Sequence, residues 1–265
     1  MYKGIHCYGD FHAHTTYSGH AMSSPSEMVD GAIRKGFNYL ALTDHVYQYE
    51  LKTDIENQNA RPRLMNIYLS NPQWPFYLCG GWEFNNFVDN PAINYQGLKL
   101  LGWHSWFGPD PNEVQFDKLL ADYTTKVETH KFDILVHPER VASLFKIAWQ
   151  QIDFLESICD LAQKHGCMIE FNTSSIRYTS CIPELADCSR LLNILLDRLH
   201  NFPSIQITIG SDAHVASDIG LNFDLALEML DSAQLLDRVV NIDEACCTEL
   251  YQKSLRGGGV NEWIF

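Results

Sequence analysis

Basic residues are scarce in this 265-residue chain: 19 Lys and Arg stand against 33 Asp and Glu, a formal net charge of −14. That balance disfavours a long nucleic-acid backbone or an anionic membrane as partner. Paired cysteines are also missing. The eight cysteines at 7, 79, 159, 167, 181, 188, 246 and 247 contain no Cys-x-x-Cys, and several sit in apolar patterns where thiols act as small buried groups. A reduced protein is expected, with neither a disulfide framework nor a cysteine zinc site. No apolar run approaches transmembrane length, and Met1-Tyr2-Lys3-Gly4-Ile5-His6 lacks the apolar region of a signal peptide, so the expected location is cytoplasmic. There is no internal repeat, low-complexity segment or linker, so residues 1–265 read as a single domain.

The rest of the composition is that of a globular protein, 46% hydrophobic and 20% charged. Short apolar runs predict seven strands, at about 4–11, 39–43, 76–80, 98–102, 133–136, 167–171 and 205–209. Between most of them lie helical patterns. Ser24-Pro25-Ser26-Glu27 opens the first as a capping box with Pro at the first helical position, and Gly36 ends it. Others are expected at about 112–129, 148–165 and 184–200, with two or three more after the last strand. The polar stretch 46–74 reads as a lid or insertion. Alternating strands and helices imply an α/β domain with a parallel sheet. A barrel fits better than an open sheet, because polar residues follow almost every strand rather than one switch point.

Those polar residues carry the chemistry. Seven of the eleven histidines follow strands: His12, His14 and His20 after the first, then His45, His104, His137 and His214. Glu83 follows the third strand and Asp212 the seventh. Residues at i and i+2 of a strand share a face, so His12 and His14 can reach one ion, with Asp10 on the same face to orient an imidazole. Histidines scattered at random through core and surface would not keep this register; His6, His130, His165 and His200 fall outside it and read as ordinary surface residues. In a barrel these positions converge at the mouth formed by the C-terminal ends of the strands. Histidine and carboxylate without cysteine suit zinc, manganese or iron, and nine such residues exceed the need of one ion.

Asp10-Phe11-His12-Ala13-His14, Thr43-Asp44-His45, Glu83, His137-Pro138 and Gly210-Ser211-Asp212-Ala213-His214 together resemble the PHP (polymerase and histidinol phosphatase) superfamily. The resemblance spans residues 5 to about 220. It implies a distorted (β/α)7 barrel and a centre of three divalent metal ions. His12, His14, Glu83 and Asp212 would hold one ion; Glu83, bridging, with His104 and His137 a second; His20, His45 and His214 a third. The implied reaction is hydrolysis of a small phosphorylated substrate by a metal-activated water, with Asp212 and His214 the candidates for proton transfer. Bound cations would offset the acidic balance of the chain.

Ser18-Gly19-His20-Ala21 and Glu170-Phe171-Asn172-Thr173-Ser174-Ser175 resemble the small stand-alone phosphatases of that family. Asp44 stands where histidinol phosphatases tend to have glutamate, and Gly19-His20 where they have Pro-His. A general small-molecule phosphatase is therefore expected ahead of a histidinol-phosphate phosphatase, a nucleotide phosphodiesterase or exonuclease, or a non-catalytic metal-stabilised module. Arg177 follows the sixth strand, where similar histidinol phosphatases carry an arginine, and is the expected phosphate clamp, with Arg140 the competing candidate. Glu170 is expected to make a structural or ligand-supporting contact. Oligomeric state is not legible.

Overall fold

The computed structural model describes residues 2–46, 76–85, 97–103, 115–177 and 188–255, apart from the side chains of Val46, Asn85 and Arg177. The expected lid at 46–74, His104 and Cys181 fall outside the described residues. Seven strands form one sheet in sequence order: β1 Gly9–Ala13, β2 Tyr39–Val46, β3 Tyr77–Asn85, β4 Leu98–Gly102, β5 Ile134–Leu135, β6 Met168–Asn172 and β7 Ile207–Gly210. Every neighbouring pair is parallel. The helices are α1 Pro25–Arg34, α2 Phe116–His130, α3 Pro138–Ala142, α4 Ala148–His165, α5 Ser174–Arg177, α6 Cys188–Leu199, α7 Phe223–Ser232 and α8 Glu244–Leu255. This is the expected distorted (β/α)7 barrel. Among the described residues no helix is long and apolar enough to cross a membrane.

Strand register decides which side chains face inward. Tyr39, Ala41 and His45 of β2 lie beside Tyr77, Cys79 and Glu83 of β3, and Glu83 lies beside Leu100 of β4. The apolar members of this face pack with Phe11, Ile134, Val136 and Met168. They fill one half of the barrel, and the polar members collect at the other. The opposite face is largely apolar. Leu40, Leu42 and Leu78 receive Met28, Val29 and Ala32 of α1, while Leu135, Ile169, Ile207 and Ile209 receive α2, α3, α4, α6 and α7. Burying one such leucine or methionine contributes about 1.5–3 kcal/mol, so the two-residue alternation fixes strand orientation firmly. The expected capping box of α1 is present: the Ser24 hydroxyl accepts from Glu27 N, and Glu27 Oε2 accepts from Ser24 N.

Two expectations about the first strand need correction. The chain begins with a short 3-10 turn, Tyr2–Gly4, in which Lys3 and Gly4 have positive φ, so the strand starts at Gly9 rather than residue 4. The β1–β2 register also shifts between Asp10 and Ala13. This bulge separates Asp10 from the face of His12. Asp10 binds backbone instead, accepting from Ser211 N, Gly220 N and His12 N.

The ring closes between β1 and β7, by unusual means. At the mouth, backbone bonds run from Asp212 N to His12 O and from His14 N to Ala213 O, both 2.8 Å. Farther down, Asn241 takes the place of a ladder. Its Nδ2 donates to Gly9 O and Ile209 O, and its Oδ1 accepts from Ile209 N. The Asn241 carbonyl accepts from Tyr8 N.

Candidate metal centre

His12, near the end of β1, and His14, just past it, are buried side by side, their Nε2 atoms 3.0 Å apart. Glu83 lies at the middle of the cluster. Its Oε2 is 3.0 Å from His45 Nδ1, 3.3 Å from His14 Nε2 and 3.4 Å from His12 Nε2, and its Oε1 is 2.8 Å from His137 Nε2. Asp212, from the turn after β7, places Oδ1 3.1 Å from His14 Nε2 and 3.7 Å from His12 Nε2. At the rim, His214 Nε2 meets His20 Nε2 at 2.7 Å. His20 is exposed there, whereas Glu83 and His137 are fully buried.

The outer hydrogen bonds set the tautomers. His12 Nδ1 donates to Glu170 Oε1 at 2.7 Å. The Ser18 hydroxyl donates to Asp44 Oδ1, so its oxygen is the acceptor for His14 Nδ1–H and for His45 N–H. His20 Nδ1 donates to Ser18 O, and His214 Nδ1 to Asp212 O. With Nδ1 protonated, each of these four rings turns an Nε2 lone pair inward. Lone pairs 2.7–3.0 Å apart need a proton or a cation between them. Asp212 Oδ1 is buried and, among the described residues, accepts no hydrogen bond. Among the described residues the donors fall into three groups, each with its ligand atoms mutually within 4.8 Å: His12, His14 and Asp212; His12, Glu83 and His137; His14, His45 and His214. Nitrogen and oxygen donors so arranged suit divalent metal ions.

Charges follow the same geometry. Burial opposes the imidazolium of His14, but Asp212 and Glu83 outweigh it and hold its pKa up at about 8. Burial likewise opposes that of His12, and Glu170, Glu83 and Asp212 outweigh it, raising the pKa well above the ordinary value. Burial works against ionised Asp212, yet Arg140, His12 and His14 hold it well below the carboxylate range. His214 is pushed down to about 4 by burial and then by the charge of His14.

Backbone strain marks two members. His137 has φ +36° and Asp212 φ +52°, left-handed values uncommon for such residues. Glu170 Oε2 accepts from His137 N at 3.0 Å and so holds that conformation. Two glycines clear the space. A Cβ at Gly210 would lie 2.0 Å from Glu170 Oε1, and one at Gly102 would lie 2.6 Å from Glu83 Oε1.

The structure thus brings together His12, His14, His20, His45, Glu83, His137, Asp212 and His214, with Arg140 beside Asp212. The Arg177 side chain and His104 lie outside the described residues. The sequence reading assigned no role to Ser18, Asp44, Asn172 or Gly210. The signal was present for one of them, Asn172: a buried strand end reading Glu170-Phe171-Asn172 is polar without supplying any of the proposed ligands.

A parallel barrel with buried imidazoles and carboxylates converging at its mouth is a metal-binding (β/α)7 protein. This chain matches the PHP domain family model over residues 10–67, which include His12, His14, His20 and His45. It is similar to a Syntrophotalea carbinolica protein named "Probable phosphatase", 28% identical over 247 residues, 88% of this chain and 90% of the relative. A Shewanella loihica protein of the same name is 25% identical over 243 residues, 88% of each. Among solved structures, the fold resembles the histidinol phosphate phosphatase of Lactococcus lactis, complexed with zinc, L-histidinol and phosphate. The TM-score is 0.61 at 17% identity, covering 85% of this chain and 93% of that one.

Proposed function

We propose that this protein is a metal-dependent phosphatase that hydrolyses small phosphate monoesters, and that residues 1–265 serve as one catalytic domain. The observation that carries the proposal is the set of inward lone pairs: four imidazoles whose Nδ1 atoms are already engaged, with Nε2 facing one another and the Glu83 and Asp212 oxygens. The curated relatives named as phosphatases support the choice of reaction. In the fuller reading three divalent ions, zinc, manganese or iron, are held. His12, His14, Glu83 and Asp212 hold one, Glu83 with His104 and His137 a second, and His20, His45 and His214 a third.

Such ions, when bound, acidify water and offset charge on the phosphoryl oxygens. The chain's own residues do the rest. Glu170 and Ser18 keep His12 and His14 in the tautomer that turns Nε2 inward. Asp212 and His214 remain the candidates for proton transfer at the centre. Phosphoryl transfer depends mostly on positioning and electrostatics, so no side-chain nucleophile is required. In this reading Arg177 offers its planar guanidinium to the phosphate.

The test is to strip the protein of metal, titrate zinc, manganese or iron back, and assay a panel of phosphate monoesters and diesters. Monoesterase activity should return as three ions bind, one for each of the three donor groups. A single ion with no further binding contradicts the three-ion centre, and a preference for diesters moves the assignment to a phosphodiesterase. Arg177→Ala should keep metal and fold but lose roughly 10- to 100-fold in kcat/KM, about 1.4–2.7 kcal/mol of transition-state binding.

A further inference from the structure

Arg140 lies three residues after His137, on the short helix α3, with its guanidinium in the barrel mouth. All three of its nitrogens are engaged. Nη1 is 2.9 Å from Asp212 Oδ2. Nε donates to Ser175 Oγ at 3.1 Å. Nη2 donates to Asn172 Oδ1 at 3.3 Å and to Ser174 Oγ. The edge of the guanidinium that would grip a phosphate in two places is occupied by Asp212 on one side and by Asn172 and Ser174 on the other. Such a fork is poorly free to meet an incoming oxyanion.

What it holds is more telling. Asp212 has one oxygen on Arg140 and the other turned toward His12 and His14. Its second contact on Oδ2, from the Ser174 hydroxyl, is long at 3.4 Å. The carboxylate orientation therefore depends chiefly on Arg140. The arginine is itself anchored. Ser175 Oγ donates to Glu139 Oε1, and Asn172 Nδ2 donates to Glu170 Oε2, the carboxylate whose other oxygen orients His12. One connected network thus fixes Asp212 and His12 together, two members of the same donor group.

We propose that Arg140 is a positioning residue. It aims Asp212 Oδ1 at the ion shared with His12 and His14, and it does not bind the substrate phosphate. The inference rests on the metal-centre reading above.

The test is a calorimetric titration of metal-free protein with Mn²⁺, followed by titration of the loaded protein with inorganic phosphate, for wild type, Arg140→Ala, Arg140→Lys and Ser175→Ala. Loss of a group that orients a ligand typically weakens metal binding about 10- to 100-fold. Arg140→Ala should show that loss for one ion and leave the others, with phosphate binding to the fully loaded protein unchanged. Arg140→Lys should recover part of it, because an ammonium can still reach Asp212 but cannot span the fork. Ser175→Ala should give a smaller loss at the same ion, which keeps the test informative if Arg140→Ala fails to fold. Wild-type metal affinity in Arg140→Ala with a tenfold or greater loss of phosphate binding overturns the proposal, as does unchanged metal affinity in both Arg140→Lys and Ser175→Ala. Metal binding without hydrolysis of any monoester would remove the phosphatase reading and leave this one standing.

Discussion

Glu83 has four imidazoles within 3.4 Å, more than any other carboxylate of the site. Glu83→Gln keeps its shape and removes its charge. Metal content should fall, and activity should drop by more than about 10²-fold, the usual scale for losing one electrostatic element of a site. Wild-type turnover at full metal content would remove Glu83 from the centre. Protons tell a second story at this scale. In the metal-free protein His14 has a pKa of about 8 against 6.5 for a free imidazole, and His12 is raised as well. A raised folded pKa stabilises the metal-free fold fully below about pH 6.5, and that contribution is lost as pH rises through about 8. Metal must displace those protons, so its affinity moves the other way and grows with pH. The difference in Tm between loaded and metal-free protein should therefore widen from about pH 6 to about pH 8.5 at fixed free metal. Scanning fluorimetry would show it; a constant or shrinking gap would mean that these rings are neutral before metal binds.

At the scale of elements, the sequence was most legible where an apolar run ends in a ligand-type residue. β2 with His45 near its end and β7 followed by Asp212 and His214 could be read directly, because burial and chemistry change abruptly at one point. The bulge in β1 could not. Asp10 alternates with His12 in sequence, and only pairing with β2 reveals the extra residue that sends it to the backbone of Ser211 and Gly220. The helix α3 was also missed, although Pro138 stands at its first position, because five residues carry too little periodicity. The end of β6 was read only in part. Glu170 was expected to support a ligand, but its dependence on a glycine across the barrel is a long-range fact. Gly210→Ala tests it. The added methyl would meet Glu170 Oε1 at 2.0 Å and push it off His12. We expect an unchanged circular dichroism spectrum and metal affinity lower by about 10- to 100-fold. Full affinity in a folded variant would show that His12 needs no partner on Nδ1.

For the whole molecule, the seam between β1 and β7 is the least regular part of the ring. Asn241 is fully buried and satisfies one amide and two carbonyls there. Asn241→Ala would leave those backbone groups unpaired at about 1–3 kcal/mol each, so a loss of about 3 kcal/mol or more is expected in urea unfolding. A change under about 0.5 kcal/mol, the scale of an inconsequential surface substitution, would mean the seam is held elsewhere. No sequence pattern announced this residue, since its partners lie 232 and 32 positions away.

The same seam gives the metal site a mechanical meaning. His12 belongs to the first strand and His14 follows it directly, and Asp212 and His214 follow the last. Cations held between them would act as rivets joining the two ends of a split hoop, just above the point where a lone amide does that work. Chelation should then loosen the hoop along one line only. Amide exchange at His14 and Asp212, which bond across the gap, should quicken on metal removal, while the β2–β3 ladder on the far side keeps its protection.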